Sequence, residues 1–269
     1  MQKLGLSPAK EDVNLLPIAR ETISVAQLEM KFNDIHLSKA TGFLWHSERA
    51  LYLVTNWHNV AGRNALTGKC LNKMLSRPNR VSTTFHMLCS EGVMPVDFDL
   101  DWEFGVETQW LEHPLGSSVD VVMCRISTPP EGFIVHPINA SHSRLRLAVS
   151  SDVFLLGYPL GLGVEGTPIW KKGSIASEPH FDVEGLPKML VDTASNCGMS
   201  GSPVISTNKS GFDDKGRFIN IMGEVRDFVG IYSGRVVHDR KLGAQLGVVW
   251  KARVLDEILA AQKRFVPEH

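Results

Sequence analysis

Ser200 lies between two glycines in the segment Asn196-Cys-Gly-Met-Ser-Gly-Ser-Pro-Val. A serine hydroxyl is a weak nucleophile, so it needs an adjacent base and hydrogen-bond donors for the oxyanion that forms. Gly198 lets the backbone turn so that its own N–H and that of Ser200 can point to one spot, and Gly201 removes a side chain that would block substrate. The segment is compatible with a nucleophile, although a glycine-rich turn is the better explanation of this motif when it is taken alone.

Two further residues could complete such a site. His58 directly follows an apolar run in Val54-Thr-Asn-Trp-His and could act as a general base. Asp120 opens the buried-looking run Val121-Val-Met-Cys-Arg-Ile and could orient that histidine. Each also has a structural explanation, as a core histidine or a strand-edge carboxylate. The acidic run Asp97-Phe-Asp-Leu-Asp-Trp-Glu offers rival carboxylates, but its alternation favours a solvated strand face.

The elements around these residues are predicted to be short strands separated by turns that are rich in glycine and proline. Such a pattern favours a barrel or a sandwich over alternating βαβ units. A helical pattern is convincing only over Lys251–Arg264, and the segment 130–148 is the best candidate for a linker between two halves. The strands are predicted at 23–32, 42–45, 51–55, 121–126, 153–156, 189–191, 228–232 and 245–250; the second and third are predicted to form a hairpin, and a turn is predicted over 209–216.

Composition narrows the class of partner and the compartment. The net charge is -1, so nucleic acid and an anionic membrane are not expected as main partners. The longest apolar run, Val153–Val164, is too short and too broken to span a bilayer, and no signal peptide is recognised, so we expect a cytoplasmic protein. Four cysteines stand far apart without a C-x-x-C pair, which favours reduced thiols over zinc. We expect neither a metal nor an organic cofactor, and nothing specifies an oligomeric state.

Taken together, the order His58, Asp120, Ser200 resembles the trypsin/chymotrypsin family of serine peptidases. Thr55-Asn-Trp-His is similar to the family's T-A-A-H motif in the form common in bacterial trypsin-like peptidases, and Val119-Asp-Val-Val-Met to its D-[IL]-A-L strand. The serine segment is similar to G-[DN]-S-G-[GS]-P. The resemblance covers roughly residues 38 to 262.

The resemblance implies an all-β fold of two antiparallel β-barrels, with the active site between them and a C-terminal helix. The implied division is an N-terminal extension with the first strand (1–37), a first barrel carrying His58 and Asp120 (38–135), a second barrel carrying Ser200 (136–250), and a C-terminal helix and tail (251–269).

The resemblance also implies a serine endopeptidase that acts on proteins or peptides. His58 would take the Ser200 proton, Asp120 would hold the imidazole, and the N–H groups of Gly198 and Ser200 would form the oxyanion hole. A protein-binding module that has lost activity is the alternative from another class. An esterase-like hydrolase is a third interpretation, but the G-x-S-x-G elbow typical of it is absent.

Substrate specificity is implied by position. The floor of the pocket for the residue before the scissile bond would be Ala194, and its walls would lie near Ser233, Gly234 and Gly247. With no acidic group at Ala194, a buried Arg or Lys would lack a counter-charge, so we expect an uncharged residue that is small to medium in size or apolar. Met199 stands where family members that are made as zymogens carry an acid, so we expect the unprocessed chain to be active.

Overall fold

The computed structural model of the protein describes residues 18–47, 50–126, 129–140, 145–213, 215–235 and 245–267. The predicted N-terminal extension up to residue 17 and residues 141–144 of the predicted linker lie outside this part of the chain. The described residues are dominated by antiparallel strands, which confirms the all-β prediction.

The first half is a seven-stranded antiparallel sheet in the order β5-β4-β1-β2-β3-β7-β6. The predicted hairpin is present as β2 and β3, with Leu44 opposite Leu53. The acidic run lies on β5, where side chains alternate between partly buried and exposed, as predicted. The strands are β1 (Val25–Phe32), β2 (Ile35–Ser47), β3 (Ala50–Thr55), β4 (Arg80–Cys89), β5 (Gly92–Asp101), β6 (Trp110–Glu112) and β7 (Val122–Arg125).

The second half closes into a six-stranded antiparallel barrel in the order β10-β13-β12-β11-β8-β9. The turn that the sequence predicted over residues 209–216 is shorter, because β11 continues to Phe212 and pairs with Phe218 of β12. The aromatic pair across the hairpin end accounts for this extension. The strands are β8 (Asp152–Gly157), β9 (Ile169–Ile175), β10 (Lys188–Asp192), β11 (Pro203–Phe212), β12 (Phe218–Arg235) and β13 (Leu246–Lys251).

Three short α-helices and two 3-10 helices complete the described elements: α1 (Arg20–Ile23), α2 (Trp57–Ala61) and α3 (Arg253–Ala261), with 3-10 turns at Gly116–Ser118 and Pro159–Gly161. Helix α3 confirms the predicted C-terminal helix, and its Val254, Leu255 and Ile258 are buried. They join a hydrophobic cluster that includes residues from both halves. This shared core fixes the two halves against each other, and so fixes the cleft between them.

The predicted division at residues 37 and 135 stays a prediction. Strand β2 begins at Ile35, before the first boundary, and the Ile138 N–H donates to the Leu44 carbonyl, beyond the second. The segment that connects the two halves is therefore attached to the first sheet for at least part of its length.

Candidate active site

His58 is held on a short helix at the end of a central strand. Strand β3 ends at Thr55, Asn56 has an extended backbone, and α2 begins at Trp57. The helix ends after Ala61 because Gly62 adopts a left-handed backbone with φ of 64°. This strand-to-helix turn carries the histidine from the sheet into the cleft.

Asp120 receives three hydrogen bonds on its carboxylate. The His58 backbone N–H donates to Oδ1 at 2.8 Å, and His58 Nδ1 lies 2.6 Å from Oδ2. The Ser233 hydroxyl donates to Oδ2 at 2.5 Å. The Asn56 amide donates to the Asp120 carbonyl oxygen at 2.7 Å, so the backbone of Asp120 is held as well. These bonds fix the direction of the carboxylate. They also give its buried oxygen atoms the hydrogen-bond partners that buried polar groups require.

The pKa of His58 is raised above its ordinary value of 6.5. Burial lowers it, but the negative charge of Asp120 and the hydrogen bond from Nδ1 to that carboxylate outweigh the loss of solvent. Because Nδ1 faces Asp120, the other ring nitrogen, Nε2, is the one that can exchange a proton with a group in the cleft.

Ser200 lies in the loop between β10 and β11 and borders the same cleft as His58. The two residues line a cavity of about 490 Å³ together with Asn59, Cys197 and Gly198. The Ser200 hydroxyl donates to the Ser233 carbonyl oxygen at 3.2 Å. The structure therefore brings the three predicted residues to one place, with Ser233 touching both Asp120 and Ser200.

Three backbone carbonyl groups of the Ser200 loop are held by residues outside the loop. The Leu160 N–H donates to the Cys197 carbonyl at 2.7 Å. Thr41 holds the carbonyls on either side of Met199: its hydroxyl donates to the Gly198 carbonyl at 2.7 Å, and its N–H donates to the Ser200 carbonyl at 2.9 Å. Because C=O and N–H point in opposite directions across a peptide plane, holding the Cys197 carbonyl turns the Gly198 N–H the other way.

The N–H groups of Gly198 and Ser200 donate to no other residue in the part of the chain that the structure describes. Both residues line the cleft or its edge. Gly198 has φ of 91°, and a Cβ there would lie 2.3 Å from the Tyr158 carbonyl oxygen. At Gly201, with φ of 87°, a Cβ would lie 2.0 Å from the Thr41 carbonyl oxygen. Both positions therefore require glycine, on grounds of space and of backbone conformation.

Residues 40–211, more than half of the chain, match the family model described as the trypsin-like peptidase domain. The chain belongs to the trypsin-like peptidase family. The predicted residues His58, Asp120 and Ser200 all lie within the matched range. Among curated proteins, none matches this sequence significantly.

The chain is similar to solved structures of proteases. The HtrA-type protease AlgW, solved with a tripeptide, is similar with a TM-score of 0.52 and 15% identity over 90% of this chain and 60% of that one. The active form of the Rv3671c protease from M. tuberculosis matches with a TM-score of 0.48 and 16% identity over 93% of this chain and 85% of that one. The chymotrypsin-like fold implied by the sequence motifs is confirmed.

Two departures of this chain from the family motifs, Trp57 and Met199, have clear structural roles. The Trp57 indole N–H donates to a Glu112 carboxylate oxygen at 3.1 Å, and its ring packs edge-on against Phe265 of the C-terminal tail. Met199 is fully buried in the hydrophobic cluster of the second barrel, beside Leu155 and Val204. An apolar side chain therefore anchors the Ser200 loop here, where a charged one would need a partner.

The four residues predicted to form the specificity pocket lie in different surroundings. Ser233 and Gly234 line a cavity of about 350 Å³ together with His58 and Asp120. Ala194 is exposed, and Gly247 is buried beneath the ring of Tyr232. The predicted floor and one predicted wall are thus not open to the described cavities beside His58.

Sequence reasoning did not identify Thr41 or Asn56 as parts of this site. Asn56 belongs to the Thr55-Asn-Trp-His motif, so the motif itself contained the signal. Thr41 contacts residues 157 positions away in the chain, and no local pattern indicates that contact. Ser233 was expected near a pocket wall, but the hydrogen bond from its hydroxyl to Asp120 was not predicted.

Three observations concern metal binding, the cysteines and membrane-spanning helices. Among the described residues, no group of three or more His, Cys, Asp or Glu side chains could hold a metal ion. The four cysteines are free. No described helix has both the length and the apolar character that crossing a bilayer requires.

Proposed function

We propose that this trypsin-like peptidase is a serine endopeptidase in which Ser200, His58 and Asp120 act as a catalytic triad. The observation that carries the proposal is the His58–Asp120 pair, with its raised histidine pKa, in one cleft with a serine whose loop leaves two N–H groups unpaired by described residues. A base, a nucleophile and donors for an oxyanion are the three requirements of acyl transfer.

In the first half of the reaction, the Ser200 hydroxyl turns from the Ser233 carbonyl toward His58 Nε2. Its oxygen attacks the substrate carbonyl carbon while Nε2 takes the proton, and the oxyanion accepts hydrogen bonds from the N–H groups of Gly198 and Ser200. The C–N bond then breaks, and the imidazolium returns the proton to the leaving amine. Water repeats the sequence on the acyl-enzyme and releases Ser200.

The shape of the cleft supports cleavage within a chain. One cavity beside His58 is lined by Lys39 and Gly198, and the other by Gly234 and Trp250. A polypeptide could occupy both sides of the scissile bond, as an endopeptidase requires. The substrate is therefore a protein or a peptide. The cytoplasmic location expected from the sequence stays a prediction, which cell fractionation can test.

Labelling with a fluorophosphonate tests the triad directly. We expect the wild-type chain to form a covalent adduct, and Ser200→Ala to form none. His58→Ala should react slower by a factor of about 10⁴ to 10⁶, because the nucleophile loses its base. If the wild type forms no Ser200-dependent adduct between pH 6 and 9, the protein-binding module would be the better interpretation. Comparing peptide with ester substrates separates the peptidase from an esterase.

A further inference from the structure

The backbone places Tyr232 immediately beside the nucleophile. The Gly201 N–H donates to the Tyr232 carbonyl at 2.9 Å, and the Tyr232 N–H donates to the Ser202 carbonyl at 2.9 Å. The next residue, Ser233, accepts the hydrogen bond of the Ser200 hydroxyl. The segment that begins at Tyr232 therefore lies beside the reacting carbonyl group of any substrate that Ser200 attacks.

The side chain of Tyr232 crosses the space between three parts of the second barrel. Its hydroxyl forms a hydrogen bond with the Ser195 hydroxyl, five residues before the nucleophile. Its ring covers Gly247 on β13 so closely that a Cβ there would lie 2.5 Å from Tyr232 Cε2 and 3.2 Å from a methyl group of Val191. The side chain thus extends from β12 and packs between β13 and the segment before Ser200.

Burial shows that this space is filled. Tyr232 is 1% exposed, and Ser195 is 5% exposed. A buried phenol needs a partner for its hydroxyl, and Ser195 supplies one from the segment that leads to the nucleophile. Gly247 has no side chain, and this makes room for the ring. The ring therefore fills the space beside Gly247, which the sequence predicted as a pocket wall, so an aromatic ring and not a cavity lies between Ser195 and Gly247.

We propose that Tyr232 is a specificity-determining residue that plugs the pocket for the residue before the scissile bond, so that the peptidase cleaves after small residues such as Ala, Ser or Gly. This rests on the proposed endopeptidase function and narrows the range expected from the sequence. A ring that is packed against backbone and held by a hydrogen bond cannot move aside without leaving a buried hydroxyl unpaired. Side chains of the size of Leu or Phe would have to displace it.

The test uses peptides that differ only in the residue before the scissile bond: Ala, Val, Leu, Phe and Arg. For the wild type we expect kcat/KM to be at least about 100-fold higher for Ala than for Phe, the scale on which pockets reject larger side chains. Tyr232→Ala should raise the Phe-to-Ala ratio of kcat/KM by about 10- to 200-fold. Tyr232→Phe keeps the ring, so its ratio should stay within about threefold of the wild type.

Two results would overturn the proposal: equal cleavage after Ala and Phe by the wild type, or an unchanged ratio in a Tyr232→Ala protein that still reacts with the fluorophosphonate. If Tyr232→Ala does not fold, Tyr232→Val is the smaller truncation, and it should favour Leu over Phe. The probe does not carry a peptide side chain, so labelling of the wild type tests the triad separately. If the wild type is labelled but cleaves equally well after Phe and Ala, only the proposed role of Tyr232 is wrong. If the wild type is not labelled, the proposed endopeptidase function is wrong.

Discussion

The two halves of the active site are anchored by different kinds of contact. On the first sheet, His58 and Asp120 are held by side-chain hydrogen bonds and by charge, with three donors on one buried carboxylate. In the second barrel, the loop of Ser200 is held through its carbonyl groups and through the buried apolar side chain of Met199. The first half should therefore be most sensitive to the loss of charge, and the second to changes in backbone support and packing.

The largest effect is expected from Asp120→Asn, which removes the charge of the first half. kcat should fall by about 10⁴, because the amide no longer stabilises the imidazolium and can favour the wrong tautomer. The pKa of His58 should also fall, since burial lowers it and the carboxylate that raised it is gone.

The pH profile of the same variant checks this reasoning. His58 acts as a base only when neutral, so wild-type kcat/KM should rise with pH through an apparent pKa above the ordinary 6.5. In Asp120→Asn the rise should occur at lower pH. A rise at unchanged pH would show that Asp120 does not control the histidine.

Met199→Asp is expected to have the next largest effect, on the second half. Met199 is fully buried in a cluster of hydrophobic side chains, so a carboxylate there would be desolvated, and we expect the free energy of unfolding to fall by about 3 kcal/mol or more. That corresponds to a decrease in Tm of roughly 10 °C. Met199→Leu is the matched control, with a cost below about 1.5 kcal/mol. Calorimetry of both variants decides it, and equal Tm values would show that packing does not anchor this loop.

Thr41→Val tests the backbone support of the same loop at a smaller scale. It keeps the shape of the side chain but removes the hydroxyl that donates to the Gly198 carbonyl and accepts from the Tyr158 N–H. We expect the rate of fluorophosphonate labelling to fall about 10- to 100-fold, because the peptide plane that joins the two oxyanion donors loses its fixed direction.

Thr41→Ser keeps the hydroxyl and should restore most of the rate. A positioning role also predicts that kcat falls more than KM rises for peptide substrates. If the Thr41→Val and Thr41→Ser proteins react with the fluorophosphonate at the same rate, the hydroxyl does not position the Ser200 loop.

Ser233→Ala is expected to have the smallest effect on activity. It should shift the pKa of His58 in the direction opposite to that of Asp120→Asn. Loss of one hydrogen bond to Asp120 should lower kcat/KM by about five- to tenfold, or about 1 kcal/mol. With one donor fewer, the carboxylate holds the imidazolium more tightly, so the pH at which activity rises should increase. The shift is therefore toward higher pH here and toward lower pH in Asp120→Asn. Shifts in the same direction would contradict the hydrogen-bond network described here.

Much of the fold was predictable because its signals are local. Alternating apolar residues identified the hairpin of β2 and β3, and the acidic run on β5 has the half-exposed face that its alternation predicted. Strand β4 was not predicted, since its polar residues hide the alternation, and its pairing with β1 is a long-range contact. The three residues of the proposed triad were identified because each stands in a short motif with its own chemical reason.

What the amino-acid sequence determined by itself was the chemistry available at each position: a nucleophile between glycines, a base after a strand, a carboxylate before one. What only the tertiary structure decided was which distant groups meet. Thr41 reaches Gly198 across 157 residues, and Tyr232 reaches Gly247 because its partner on β13 is Val249, two residues from Gly247 on the same face. These contacts depend on strand register and barrel closure, which balance many weak interactions over the whole chain, and no segment contains enough of them to show the result.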